Sequence, residues 1–452
     1  MHQIKLKKQK MNKKNIYGFI ALMLLISHTS FSQTGTDPVQ LDEVVLSLPF
    51  NQDLGKSVIK VEKINLNNIN PILRSYISKS LSKLPGISLI STGPGIVKPS
   101  IRGLSGNRVI VYSQGVRLEN QQWGEEHGIG ISTSGINSIE LIKGPAYVIY
   151  GSDAMGGVLY VEPEKYSSDF SIDYMGIYNS NYSGITNNLG LKGSSGNFSY
   201  ILRGNMTDNQ NFSSPDGEVE NTWFKENDIQ AGLMYKTENF SSDLRLSMNF
   251  SELGIPHMEE GHDDHDDHDG HEGHEEGEAE LDMELLTNTL DIKLVMPQTE
   301  DFNLIIGSNI LSQENKNFGH EELVPDSEMN DFGLFGLAEF TMDNSSQLLA
   351  GVRYDSRSIS SGTISNDFSN FNGSIGLKKD FSNSTLRFNV SSGFRAPNLI
   401  ELFADGVHHG TFQYKKGNSN LVAEKSIQTD LSLQINNQNS LVSFDLFFNE
   451  IA

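Results

Sequence analysis

One short stretch of the chain is rich in side chains that bind metal ions. Residues 257–280 read HMEEGHDDHDDHDGHEGHEEGEAE and hold six of the twelve histidines of the protein, together with twelve Asp and Glu residues and no Lys or Arg. The histidines, the last five at a strict three-residue spacing, are His257, His262, His265, His268, His271 and His274. Neutral imidazole is a common ligand of divalent transition metals, and carboxylates raise the local cation concentration. The stretch therefore predicts metal capture. The alternative is a solvated acidic loop, although solvation alone would need no histidine.

Two other places offer histidine beside possible co-ligands. Glu125, Glu126 and His127 lie between glycines in the segment QQWGEEHG, where the alternative interpretation is a surface turn. His408 and His409 form a pair in ADGVHHG. Oxygen and nitrogen donors at such positions can bind one ion together. A further candidate group is His320 with Glu321 and Glu322.

Composition excludes several classes of function. The formal net charge is −23, of which residues 257–280 contribute −12, leaving −11 elsewhere, so a nucleic-acid binder with a basic patch is not expected. Cysteine is absent, which excludes disulfides, thiolate metal sites and cysteine nucleophiles. No nucleophile–base constellation is recognisable, so the chain is not expected to be an enzyme or to hold a tightly bound cofactor.

The N-terminus has the pattern of a secretory signal peptide, predicted over residues 1–32. Six lysines precede an apolar run from Ile16 to Ile26, and Ser30 and Ser32 supply small residues before a cleavage point. The apolar run is too short for an ordinary membrane-spanning helix. We therefore expect an exported protein in which any membrane span is made of strands.

Residues 58–165 predict a small α+β domain. A helix is expected to begin at Asn70-Pro71 and to end at Leu84-Pro85-Gly86, a strong stop signal. Short strands, most of them bounded by glycine, are expected at Val58–Lys63, Ile87–Ser91, Ser100–Arg102, Arg108–Ser113, Val116–Leu118, Ile139–Lys143 and Gly157–Val161.

From residue 166 to residue 452 the sequence alternates with period two. About thirteen strands are predicted, separated by short Asn/Ser/Gly turns and longer loops, which is typical of an antiparallel transmembrane β-barrel. The alternative is a soluble β-sandwich. If the domain at 58–165 fills the lumen of such a barrel, about 22 strands are expected, and residues 166–452 would be the N-terminal part of an incomplete barrel.

The order of several motifs identifies a family resemblance. LDEVVLS, LSKLPGISL, IRGLSGNRVIVYSQGVRLENQ and INSIELIKGPAYVIYGSDAMGGVLYV, within residues 40–162, resemble the coupling box and plug domain of a TonB-dependent outer-membrane receptor. One departure is Gln114, where many members have Asp. The resemblance implies a periplasmic tether at 33–57 and a plug at 58–165. It also implies a TonB-coupling box made of Leu41, Asp42, Glu43, Val44, Val45, Leu46 and Ser47.

The resemblance also implies a location and partners. The chain would lie in the outer-membrane bilayer of a Gram-negative bacterium, and TonB with its inner-membrane energising complex would pull on residues 41–47. Strand parity puts the long connections 209–224, 251–283, 313–330 and 396–426 opposite the short turns. The His-rich loop, 252–283, is therefore expected outside the cell.

Metal uptake is the function expected from these features together. The GEEH and ADGVHHG segments with the acidic His-rich loop are similar to the zinc-receptor branch, which suggests Glu126, His127 and His408 or His409 as one site at the plug apex. Zn²⁺ would be the transported substrate. The alternatives are a haem receptor with histidine axial ligands, a nickel or copper receptor, and a metal-buffering surface protein without transport.

Overall fold

The structure is a computed structural model of the chain. It describes residues 57–66, 81–82, 84–93, 96–119, 134–143, 147–215, 217–220, 222–238, 240–254, 283–297, 299, 301–318, 322–408, 413–437 and 440–452. The predicted signal peptide 1–32, the tether as far as residue 56 with its coupling box 41–47, and most of the helix expected after Pro71 lie outside these ranges. Of the helices in the described ranges, none is both long and apolar enough to cross a membrane.

The N-terminal domain is built on a five-stranded mixed sheet. Its strand order is β1-β6-β7-β4-β5, with β4 and β7 parallel and the other pairs antiparallel, and β2 and β3 form a separate hairpin. The elements are β1 Val61–Asn65, β2 Ile87–Gly93, β3 Ile96–Ile101, β4 Val109–Ser113, β5 Val116–Leu118, β6 Ile136–Ile142, the short helix α1 Tyr147–Tyr150, and β7 Gly157–Pro163. The strands expected from the sequence here overlap those of the structure.

Both faces of this sheet are buried. On β7, Leu159 and Val161 pack into the domain's own apolar core, whereas Val158 and Tyr160 belong to a second cluster that includes side chains of the barrel wall. Successive side chains of a strand point to opposite faces, so a strand buried on both sides is apolar at every position. This explains why the sequence GVLYV lacks the alternation seen after residue 166.

Thirteen long strands follow among the described residues. They form antiparallel sheets of five and eight strands, in the orders β14-β13-β10-β9-β8 and β15-β16-β17-β18-β19-β20-β23-β24. Their bounds are β8 Ser171–Asn179, β9 Gly184–Ser195, β10 Phe198–Asn209, β13 Phe224–Lys236, β14 Ser241–Leu253, β15 Met283–Val295, β16 Phe302–Asn317, β17 Ser327–Asp343, β18 Ser346–Ser361, β19 Ile364–Asp380, β20 Ser384–Arg395, β23 Glu424–Asn437 and β24 Ser440–Ile451. Each overlaps one strand predicted from the alternating pattern, so the prediction of barrel strands is confirmed.

Side chains of these strands alternate between two environments. On β17, Leu334 is 49% exposed on the outer face, whereas its neighbour Phe335 is 3% exposed and packs against the plug. On β16, Ile306 and Ile310 are exposed, and Ile305 is buried against the plug. An outward apolar band and an inward face that meets the plug are expected of a plugged barrel in a membrane.

The long connections are partly ordered, which the sequence did not indicate. The connection after β10 forms the hairpin of β11 Phe212–Ser214 and β12 Gly217–Val219. The connection after β20 contains helix α2 Leu399–Phe403 and the hairpin of β21 Asp405–His408 and β22 Gln413–Lys416. Both were expected only as loops. The order of α2 and β21 comes from contacts that are not local in sequence, described below.

Candidate functional site

Most of the candidate metal ligands lie outside the described residues. These are Glu125, Glu126, His127, His257, His262, His265, His268, His271, His274, His320, Glu321 and His409. Of the remaining candidates, His408 ends strand β21, where its Cα is paired with that of Gln413, and Glu322 directly precedes the buried Leu323. Over the ranges that the structure describes, no three His, Asp or Glu side chains are grouped so as to hold a metal ion. The predicted sites therefore stay predictions.

Three of the candidate segments are connections between barrel strands. Neighbouring strands are antiparallel within each sheet, so the connections after β10 and β14 emerge at one end of the five-stranded sheet, opposite the turn after β13. Likewise, the connections after β16 and β20 emerge at one end of the eight-stranded sheet, opposite the turns after β15 and β17. The alternation of strand direction on which the parity argument depends is confirmed within each sheet, and the common end of the two sheets stays a prediction. The His-rich segment connects β14 to β15, and the segment containing His408 connects β20 to β23.

Two of these connections are packed together. Leu323 and Val324, after β16, share an apolar cluster with Leu399 and Leu402 of α2. The backbone N–H of Asp405 donates to the carbonyl oxygen of Leu323 at 3.1 Å. The structure therefore places the first residue of β21 beside the segment that follows Glu322. No pattern in the sequence predicted this contact, because the two segments are about eighty residues apart and each looks like a loop.

Helix α2 is fixed at its N-terminus by a capping box. The side chain of Asn398 accepts from the backbone N–H of Glu401, and the Glu401 carboxylate accepts from the backbone N–H of Asn398. Such a reciprocal cap satisfies N–H groups that the first turn leaves free. The same carboxylate pairs with Arg395 at 2.7 Å, and Arg395 also pairs with Glu424 at the start of β23. Both ends of this connection are thus bound to one guanidinium group.

A buried ion-pair network joins the plug to the barrel near these connections. Arg117 of β5 donates to Asp153 at 2.7 Å and lies 2.6 Å from Glu119. Asp153 also accepts at 2.8 Å from Arg357 of β18, and Arg357 pairs with Asp331 of β17 at 2.6 Å. Asp153 and Arg357 are only 4% and 3% exposed. Buried charges persist only when paired in this way, so each member depends on its partners.

The pKa values of the two plug carboxylates in this network, Asp153 and Glu119, are shifted in opposite directions. Burial acts to raise the pKa of Asp153, but the positive charges of Arg357 and Arg117 together outweigh this effect. The pKa of Asp153 is therefore below its usual value. Burial dominates for Glu119, whose pKa is raised although Arg117 opposes the shift. The difference follows from the number of cations close to each group, since opposite charges favour ionisation and desolvation opposes it.

A small cavity lies beside this network. Its volume is about 40 Å³. Its charged lining residues are Arg117, Arg353, Arg357, Asp291, Asp331 and Asp355. Three guanidinium groups balance three carboxylates, so this cavity is not built to attract a cation. The charge pattern on β18 was available in the sequence, because Arg353, Asp355 and Arg357 alternate as inward-facing residues do. The sequence interpretation missed it by following histidines alone.

The plug meets the barrel at a second ionic contact, on the other sheet. Glu164, just after β7, pairs with Arg203 of β10 and with Lys192 of β9, both at 2.8 Å. Burial opposes ionisation of Glu164, but its hydrogen bonds from Arg203 and Lys192 lower its pKa below the usual value. Arg203 is also held by Asp173. This contact fixes the chain where it passes from the plug into the first barrel strands.

Family models match nearly the whole described chain. The TonB-dependent receptor plug domain matches residues 55–158, and the TonB-dependent receptor-like β-barrel matches residues 153–452. The chain belongs to the TonB-dependent receptor family. The receptor is therefore a protein of the Gram-negative outer membrane.

Individual relatives of the receptor align with only part of its length. It is 32% identical over 119 residues to a vitamin B12 transporter, BtuB, of Photobacterium profundum, and 27% identical over 161 residues to an iron-regulated outer membrane virulence protein of Vibrio cholerae. These alignments cover 26% and 34% of the receptor, but only 20% and 24% of the relatives. The chain thus spans well under two thirds of the relatives it matches.

Solved structures confirm the fold. The copper transporter OprC superposes with a TM-score of 0.68 at 15% identity, covering 86% of the receptor and 71% of that chain. An FrpB iron transporter of Neisseria meningitidis gives 0.66 at 13% identity, covering 86% and 72%. At such low identity the likeness concerns the fold alone.

Proposed function

We propose that the receptor imports a divalent transition metal, with Zn²⁺ as the substrate, in a TonB-dependent manner. The observation that carries this proposal is the position of the His-rich segment. It connects β14 to β15, and strand parity along the chain assigns it to the same end of the barrel as the β20–β23 connection with His408. Six histidines and twelve carboxylates at a barrel opening would concentrate divalent cations from solution.

We assign collection of the ion and its selection to two different parts of the receptor. The Gly and Asp content of residues 257–280 does not suit a fixed coordination cage, so this segment gathers ions. Glu126 and His127 of the plug, with His408 or His409 of the barrel connection, form the selective site, and Glu125 and Glu322 are available as additional oxygen ligands. Supporting this assignment, α2 packs in the apolar cluster around Leu402, and the backbone N–H of Asp405, the first residue of β21, donates to the carbonyl oxygen of Leu323.

Coupling to energy is assigned to residues 41–47. TonB, driven by its inner-membrane complex, pulls on this segment, the plug moves, and the ion passes to the periplasm. The test is zinc accumulation in cells that carry the complete gene, with and without residues 41–47. Loss of accumulation with normal zinc binding supports the proposal. Unchanged accumulation would favour a surface protein that buffers metal without transporting it.

Haem is the main alternative substrate. A further relative is a heme/hemopexin utilization protein C of Haemophilus influenzae, 29% identical over 143 residues, and histidine is a common haem axial ligand. Titration of the receptor with haem distinguishes the two substrates. A Soret shift that His408→Ala abolishes, without competing zinc binding, would replace zinc by haem. Growth and uptake assays with zinc, nickel and copper in parallel decide among the bare ions.

A further inference from the structure

Three residues from distant parts of the chain form one buried joint between plug and barrel. We call Arg117, Asp153 and Arg357 the Asp153 joint. Oδ2 of Asp153 accepts from Nη2 of Arg117 at 2.7 Å and from Nη2 of Arg357 at 2.8 Å. Arg117 lies on β5, Asp153 on the loop between α1 and β7, and Arg357 on β18. A single carboxylate oxygen therefore connects two plug elements to the barrel wall.

The Asp153 joint also contacts the start of the connection that carries His408. Nη1 of Arg357 donates at 3.3 Å to the carbonyl oxygen of Ala396, the first residue after β20. Two residues earlier, the carbonyl oxygen of Phe394 accepts from the backbone N–H of Asp153 at 3.3 Å and from the hydroxyl of Tyr147. Two donors of the plug thus hold one carbonyl oxygen at the end of β20, and Arg357 of the barrel holds the carbonyl oxygen of Ala396, two residues further on.

The elements beyond the joint are those that carry the proposed ligands. Arg117 lies two residues before Glu119, after which the chain runs into the segment with Glu126 and His127. Ala396 lies three residues before α2, which leads directly into β21. From this geometry we propose that Asp153 and Arg357 are positioning residues, which fix the β4–β5 hairpin of the plug relative to α2 and β21. This inference rests on the proposed function, because it sets the separation of the two ligand groups.

The Glu164 contact supplies a matched control. Glu164 is a half-buried plug carboxylate that pairs with a barrel arginine, Arg203, as the buried Asp153 pairs with Arg357. It binds the five-stranded sheet, whereas the Asp153 joint binds the eight-stranded sheet. Its described contacts touch neither β5 nor the connection after β20. Glu164→Gln therefore loosens a plug–barrel ion pair without reaching the proposed ligand groups.

The separation can be measured without metal. The chain has no cysteine, so Val116→Cys and Lys416→Cys, both at exposed positions, place one spin label on β5 and one on β22. Distances are measured by double electron–electron resonance on the complete receptor purified from outer membranes, so that only inserted protein is labelled. The background variants are Asp153→Asn, Arg357→Gln and Glu164→Gln. Using both Asp153→Asn and Arg357→Gln guards against failure of either one to fold.

We expect a narrow distance distribution in the unmodified receptor and in Glu164→Gln, and a broad or shifted one in Asp153→Asn and Arg357→Gln. Unchanged distances in the two joint variants would overturn the inference, as would equal broadening in Glu164→Gln. In parallel, zinc titration of the same proteins should show affinity reduced about 10- to 100-fold in the joint variants, the usual effect of losing residues that orient metal ligands. If the unmodified receptor binds no zinc, the proposed function fails, while the distances still decide the positioning role.

Discussion

Gly157, at the start of β7, gives a quantitative test of how the plug is packed. Its φ is +129°, and a Cβ added there would lie 2.5 Å from the backbone carbonyl oxygen of Ile142 and 3.4 Å from a methyl group of Ile101. A backbone oxygen in a paired strand cannot turn away. Gly157→Ala therefore combines backbone strain of about 1–2 kcal/mol with overpacking of about 1–3 kcal/mol, a total destabilisation of about 2–5 kcal/mol.

Gly103→Ala is the matched control. Gly103 also has a positive φ, +83°, but nothing lies within 4 Å of the added Cβ. Only the strain of about 1–2 kcal/mol applies there. The two variants should therefore differ by about 1–3 kcal/mol, roughly 5- to 150-fold in the opening equilibrium of the plug.

Amide hydrogen exchange on the complete receptor measures this difference, since exchange of core strands reports the free energy of opening. Peptides covering β6 and β7 should exchange at least about 30-fold faster in Gly157→Ala than in the unmodified protein. Peptides from β17 and β18 serve as the internal reference for an intact barrel. Exchange in Gly157→Ala no faster than in Gly103→Ala would refute the close packing of β7 against Ile142.

Three other expectations concern uptake and pH. Deleting residues 257–280 should reduce zinc accumulation most at low zinc, whereas His127→Ala should reduce it at every concentration; the opposite pattern would refute the division between collecting and selecting groups. Zinc accumulation should weaken as pH falls below about 6.5, because protonated imidazole cannot bind a metal, and isotope uptake across a pH series measures this. The plug should lose stability as pH falls below about 4, since the lowered pKa of Asp153 means that the unfolded chain takes up this proton first. The urea midpoint should fall less with decreasing pH in Asp153→Asn than in the unmodified receptor. An equal fall in both proteins would mean that other carboxylates cause the loss of stability. Glu119 has the opposite effect, because its pKa is raised in the folded plug. As pH falls through values just above the usual pKa of a glutamate, protonation of Glu119 favours the folded state.

The sequence by itself determined the strands and their faces. Alternation along a strand such as β17 depends only on neighbouring residues, because side chains point to opposite faces with period two whatever the strand pairs with. The all-apolar run GVLYV of β7 likewise indicates burial on both faces. Parity of the strands then placed the long connections at one end. The ligand types in residues 257–280 are also a local property, and they need no fold to be recognised.

Only the tertiary structure decided which polar groups meet. Asp153 and Arg357 are 204 residues apart, and their pairing depends on the position of the plug within the barrel and on the register of β18 against β17. The order of α2 and β21 depends in the same way on Leu323 of another connection, which packs with α2 and accepts a hydrogen bond from the first residue of β21. Alternation can indicate that Arg357 faces inward, but no local pattern specifies its partner. A buried charge must find its partner across the assembled interface, so its place in the network is a property of the folded receptor.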